Sequence, residues 1–210
     1  TGSSNTALGK SALQSNTTAD NNTAVGINSM VTNSTGRDNA AFGAFALDAN
    51  TTGSYNTGVG SYALSTNTTA AGNVAVGYGT LGANTTGGNN TALGMQVLDA
   101  ATTAGSNTGV GALALGATTT GNANTACGAE ALSANTTGSS NTAIGIYSLY
   151  TNSTADNNTA VGRSALQLNT TGTKNVAVGP YSADANTTGN NNAIVGYNAF
   201  SGNTTGSSNT

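Results

Sequence analysis

Asparagine recurs every 17 residues along this chain, at Asn5, Asn22, Asn39, Asn56, Asn73, Asn90, Asn107, Asn124, Asn141, Asn158, Asn175 and Asn192, with no insertion or deletion. A period held this strictly limits the fold more than composition does, because each copy must be one structural unit stacked on the next. Twelve copies cover residues 5–208, so residues 1–210 read as a single solenoid segment with a partial copy at each end. The consensus is N-T-A-V-G-x-x-A-L-x-x-N-T-T-G-x-x, numbered here as columns 1 to 17. Column 5 is glycine in every copy: Gly9, Gly26, Gly43, Gly60, Gly77, Gly94, Gly111, Gly128, Gly145, Gly162, Gly179 and Gly196. Column 14 is threonine in every copy, and column 4 is always apolar. Column 9 is leucine except at Met30, Ala183 and Phe200, and column 12 is asparagine except at Ala101 and Thr118.

Charged residues make up 5% of the chain, against roughly 25% in ordinary domains. Such a composition often marks disorder, yet a disordered segment has no reason to keep register over twelve copies. Helical repeats are disfavoured by the recurring Gly, Thr and Asn and by the absence of a 3.6-residue stripe. The expected fold is all-β, a parallel β-solenoid (β-roll) of 17-residue coils. Columns 1 to 4 read as a short strand with columns 2 and 4 pointing inward. That places Val25, Val59, Val76, Val110, Cys127, Ile144 and Val161 in the core. A second short strand at columns 8 and 9 adds Leu64, Leu81, Leu115, Leu132 and Leu166. Glycine at column 5 ends the first strand where the turn needs positive φ, and N-T-T-G makes the next corner. The asparagines of columns 1 and 12 should form ladders between coils, amide to amide, and satisfy corner backbone groups.

Two large apolar side chains per coil make a thin core for a lone chain. Column 3 is alanine in nine copies, a smooth row suited to close approach of another chain. Ala75, Ala92 and Ala126 are therefore expected at an interchain contact, in a homotrimeric rod of three parallel chains. Both ends stop within a repeat without a capping sequence, so flanking fibre segments are expected to continue the rod.

Little in the sequence points to chemistry. Four Lys and Arg residues give no basic surface for nucleic acid, and no apolar run approaches the ~20 residues of a membrane span. The first residue is Thr1, and no signal peptide is visible. The run Gly77-Tyr78-Gly79-Thr80-Leu81-Gly82 matches G-x-G-x-x-G, but no helix is expected after it, so a dinucleotide site is not. Cys127 occupies an apolar column and has no histidine to activate it. Asp20 and Asp38 lie one coil apart and approach the separation of a glycosidase pair, with Arg37 adjacent; solvated corner charges are the simpler reading. The periodic Asp of calcium-binding β-rolls is absent. No catalytic residue, cofactor or metal is expected. The N-x-[ST] sequons at column 12, such as Asn16-Thr17-Thr18 and Asn50-Thr51-Thr52, are glycosylation acceptors in some secreted proteins; the ladder explains the same asparagines. Stacked threonines raise ice binding, but columns 13 and 14 are adjacent and do not give two rows on one face.

The run Asn158-Thr159-Ala160-Val161-Gly162-Arg163-Ser164-Ala165-Leu166 resembles the N-x-A-[VI]-G repeats of trimeric autotransporter adhesin heads of the YadA type. The fuller motif with N-T-T-G is similar to repeats of phage-tail-fibre-like surface proteins. The resemblance implies a homotrimeric β-roll on a bacterial surface or a virion. The repeat here is longer than the YadA-type unit and adds the N-T-T-G corner. The expected function is a structural shaft or adhesin segment of an extracellular fibre, not an enzyme. Its expected partners are identical chains and, in the adhesin case, a host-surface glycan or receptor met by exposed tyrosines. An ice-binding solenoid is the alternative.

Overall fold

The computed structural model describes residues 2–210 as two compact units, one ending at Ser106 and one beginning at Asn107. Both are parallel β-solenoids, and no helix occurs among the described residues. The first unit carries β1 (Thr6–Leu8), β2 (Thr23–Val25), β3 (Ala40–Phe42), β4 (Thr57–Val59), β5 (Val74–Val76) and β6 (Thr91–Leu93). The second carries β7 (Thr108–Val110), β8 (Thr125–Cys127), β9 (Thr142–Ile144), β10 (Thr159–Val161), β11 (Val176–Val178) and β12 (Ala193–Val195). Within each unit consecutive strands pair in parallel with a column directly above itself, as in Thr23 with Ala40 and Val25 with Phe42, or Thr159 with Thr142.

Each strand occupies columns 2 to 4 and ends at the column 5 glycine. At Gly43 φ is 141°, a value that L side chains rarely adopt. A Cβ there would also lie 2.5 Å from the carbonyl oxygen of Gly60, the same column one coil on. Both conformation and close approach therefore demand glycine.

The expected second strand is absent. Columns 7 and 9 both take left-handed φ, 61° at Tyr62 and 53° at Leu64, which no β-strand can contain. Left-handed φ in a bulky residue costs on the order of 1–3 kcal/mol and persists only where its surroundings hold it. Here backbone bonds along the stack hold it. The Tyr62 amide donates to Ala44 O in the preceding coil at 3.0 Å, and the Leu64 amide to Thr80 O in the following coil at 3.0 Å. Between them run two turns, closed by Ala63 N to Gly60 O at 3.3 Å and Asn67 N to Leu64 O at 3.1 Å.

The strand's phase is opposite to that expected. Ala24, Ala41, Ala75, Ala92, Ala126, Ala143, Ala160 and Ala177, all in column 3, are fully buried. Column 4 faces out: Val25, Val59, Val76, Val110 and Val161 are half-buried, and Cys127 and Ile144 are exposed. Hence Ala75, Ala92 and Ala126 line the chain's own core and leave no alanine face for a neighbour. The reason is space. Leu64, Leu81, Leu115, Leu132 and Leu166 of column 9 are buried and reach across the coil. A Cβ at Gly58, in column 3, would lie 3.5 Å from Leu47 Cγ, ordinary van der Waals contact for a methyl group and no more. Valine on that face would overfill the coil.

Candidate functional site

The buried interior of each coil is polar on one side. Asparagines of columns 1 and 12 are buried throughout the interior coils, so each amide must find partners inside. In column 12 the ladder runs amide to amide: Asn50 Nδ2 donates to Asn33 Oδ1 at 2.8 Å, Asn67 to Asn50 at 2.9 Å and Asn84 to Asn67 at 2.9 Å. The second unit repeats it, with Asn169 donating to Asn152 at 3.0 Å and Asn186 to Asn169 at 2.9 Å. Column 1 is built differently from the expected amide stack. Its Oδ1 accepts the backbone N–H of the next asparagine, as in Asn56 N to Asn39 Oδ1 at 2.9 Å. The amide-to-amide bond is present only at some coils, such as Asn39 to Asn22 at 3.2 Å.

The two ladders meet at the column 15 carbonyl. Gly53 O accepts from Asn39 Nδ2 at 2.9 Å and Asn50 Nδ2 at 3.0 Å. Gly172 O accepts from Asn158 at 2.8 Å and Asn169 at 2.9 Å. Column 15 is buried under this clamp and admits only glycine or alanine. The column 12 amides of the interior coils are thus buried and already donate twice, which removes them as glycosylation acceptors in the folded chain, whereas Asn16 of the first coil is half-buried and donates to Ala19 O. The ladder fails where Ala101 replaces asparagine: the Oδ1 of Asn84, one coil earlier, is buried with no hydrogen-bond partner. In the second unit Asn135 reaches only the Thr118 hydroxyl, at 3.5 Å.

The outward face of the strands is formed by columns 2 and 4. Thr occupies column 2 in eight coils, and column 4 is apolar in all twelve. Phe42, Leu93, Ile144 and Val178 are exposed there, Leu93 to 48%, and the Cys127 thiol is free and exposed in the same row. Neither column contains a charged residue. An uncharged face with a continuous apolar row beside a threonine-rich one is unusual on the free surface of a protein.

The remaining candidates are dispersed. Asp38 accepts from Asn21 Nδ2 at 3.1 Å and lies 3.9 Å from Arg37 Nε, while Asp20 accepts the Ser3 N–H at 2.5 Å. Both carboxylates are exposed and serve corner contacts. Asp48 and Asp99 of column 10 are partly buried, and desolvation raises both above the ordinary carboxyl range against their backbone hydrogen bonds. Gly77, the first glycine of the G-x-G-x-x-G match, lies at a column 5 turn with φ 135°, as its column position implied. No group of three or more His, Cys, Asp or Glu side chains converges among the described residues. No helix among them is long and apolar enough to cross a membrane.

Sequence reasoning missed the left-handed columns 7 and 9 and the clamp on column 15. The restriction of column 15 to Gly and Ala was the available signal for the clamp. Compared with protein-family models, curated proteins and solved structures, the chain matches none.

Proposed function

We propose that this chain is a structural segment of an extracellular fibre, a shaft or adhesin stalk displayed on a bacterial cell or a virion, with no catalytic role and no cofactor. The observation that carries the reading is the uncharged outward face of columns 2 and 4. Burying apolar surface is worth about 25 cal/mol per Å², and a second copy of the chain repeats at the same interval. Identical coils set side by side match each column 4 residue to its own copy at every level, which no aperiodic partner does. Three parallel chains sharing this face around one axis would hide all three faces. The resemblance of N-T-A-V-G-x-x-A-L to trimeric adhesin heads and tail-fibre-like proteins agrees with it. Sedimentation equilibrium at micromolar concentration tests it. The expected mass is three times that of the monomer for the parent and one for Val161→Lys, with circular dichroism unchanged. A monomeric parent contradicts it.

Ice binding is the second reading, and the same face favours it. Columns 2 and 4 are i and i+2 on one strand, giving the two parallel rows that columns 13 and 14 do not. A monomeric chain showing thermal hysteresis, lost on Thr142→Lys, would establish that reading in place of the fibre.

A further inference from the structure

Away from the assembly face, columns 6 and 7 form a solvent corner. In the first unit it carries Phe45, Tyr62, Tyr78, Met95 and Gln96 on four successive coils. The Phe45 and Tyr62 rings stack at 5.2 Å with planes 3° apart, so their faces point along the stack. Tyr78 meets Tyr62 at 6.0 Å and is turned by 80°, so its own face runs along the coils. Column 7 of that coil is Gly79, where a Cβ would meet only Gln96 Cγ, at 3.6 Å. The row of column 7 side chains is therefore interrupted at this coil, where Gln96 lies beside the bare backbone of Gly79 and next to the exposed Tyr78. Tyr78 is 56% and Met95 49% exposed. The Tyr62 and Tyr78 hydroxyls and the Gln96 carboxamide make no hydrogen bond to the described chain. Columns 6 and 7 of these four coils contain no charged residue.

We infer that Tyr78, with Tyr62, Gln96 and the bare Gly79, forms a shallow subsite for one neutral pyranose ring of a surface glycan. The inference rests on the adhesin form of the fibre reading and names its ligand class. A sugar ring presents a face of C–H bonds, which stacks on an aromatic face, and a rim of hydroxyls, which the phenols and the carboxamide bond. The lack of charge favours a neutral sugar over an acidic one. A protein partner needs about 800 Å² on each side, far more than these few side chains offer.

The test titrates the full assembled chain with neutral oligosaccharides of glucose, mannose and galactose, read by the NMR shifts of labelled tyrosine rings. Saturable binding is expected with at least one of them, with a dissociation constant on the order of 1 mM. Tyr78 should shift, while Tyr55, which lies in column 17, should not. Tyr78→Ala should weaken binding about tenfold. Gly79→Gln should abolish it by covering the bare backbone beside Tyr78; the same column already holds Gln96 at φ 51°, so that variant keeps its fold. No saturable binding by any neutral oligosaccharide, binding unchanged in both variants, or binding of acidic sugars alone would overturn the inference. The sedimentation mass of the same sample separates the two claims: a trimer that binds no sugar loses the subsite and keeps the fibre.

Discussion

Asn22 and Asn33 both donate to the carbonyl oxygen of Gly36, each at 2.9 Å. One reaches it from the start of the strand and the other from the corner three residues earlier. Each coil is closed by this double donation, since the backbone between columns 12 and 15 makes no strand of its own. The clamp explains how a chain with one leucine per coil in its core holds a single structure: buried amides supply what apolar volume does not.

Restoring the broken ladder should stabilise the chain. In Ala101→Asn the new amide can donate to the orphaned Asn84 Oδ1 and to Ala104 O, which now accepts only Asn90 Nδ2, at 2.9 Å. A gain of about 1 kcal/mol is expected in urea unfolding, the net value of a buried hydrogen bond. Asn50→Ala should cost about 1–3 kcal/mol, because it strands Asn33 Oδ1 as a buried acceptor. An Ala101→Asn variant less stable than the parent would count against the clamp.

A size exchange between columns 3 and 9 gives a second check. Column 3 meets column 9 of the preceding coil, as Gly58 meets Leu47. Ile194 is the one large residue in column 3, and the column 9 residue one coil before it is Ala183. Both are buried. Ala183→Leu alone should overpack the coil by about 1–3 kcal/mol, and Ile194→Ala alone should leave a cavity costing about 2 kcal/mol. Together they recreate the pair found in other coils, so the double variant should be more stable than the sum predicts, by about 1 kcal/mol or more. Strict additivity would mean the two side chains do not meet.

The period, the parallel solenoid, the glycine turn and the Asn ladders were all legible in the sequence, since each is a column property that repetition makes visible. The phase of the strand was not. A three-residue strand reading T-A-V allows either parity, and the usual preference for burying the larger side chain chose wrongly. What decides it is the width of the coil, set by Leu64 and its equivalents on the opposite wall together with two asparagine amides. The left-handed φ at Leu64 was equally hidden, because leucine gives no sign of it and the requirement comes from the carbonyl of Thr80 one coil away. The face we propose for assembly is therefore not that of Ala92, which is buried, but the outward rows holding Thr91 and Leu93.

Acid should stabilise the fold over the range where carboxyl groups titrate. Burial raises Asp48 and Asp99 above the ordinary aspartate value, about 3.9 in the unfolded chain. Their protonated forms are therefore favoured in the folded state. The stability they contribute is fully present below the unfolded value and is lost as pH rises through the raised folded one. The urea midpoint should fall between about pH 4 and neutrality, and the paired Asp48→Asn and Asp99→Asn substitutions should flatten that profile. A midpoint that climbs with pH in the parent and is unaltered by the substitutions would contradict the assignment.

Cys127 offers the most direct measurement of the assembly claim. Its thiol is free and exposed in column 4, so in a parallel, in-register assembly the thiols of neighbouring chains face one another at the same level. Sheets packed face to face lie about 10 Å apart, wider than the roughly 7 Å between the Cα atoms of a disulfide, so a short bifunctional thiol crosslinker is the reagent. Treatment of the folded protein with such a crosslinker, followed by denaturing electrophoresis, should give a covalent dimer that Val161→Lys suppresses and Cys127→Ser abolishes. In a threefold assembly one chain of each trimer should remain uncrosslinked. An antiparallel pairing puts Cys127 opposite a different coil, and a monomer presents it to water. The account predicts the dimer band at micromolar concentration; a chain that stays monomeric on the gel under the same crosslinking would contradict it.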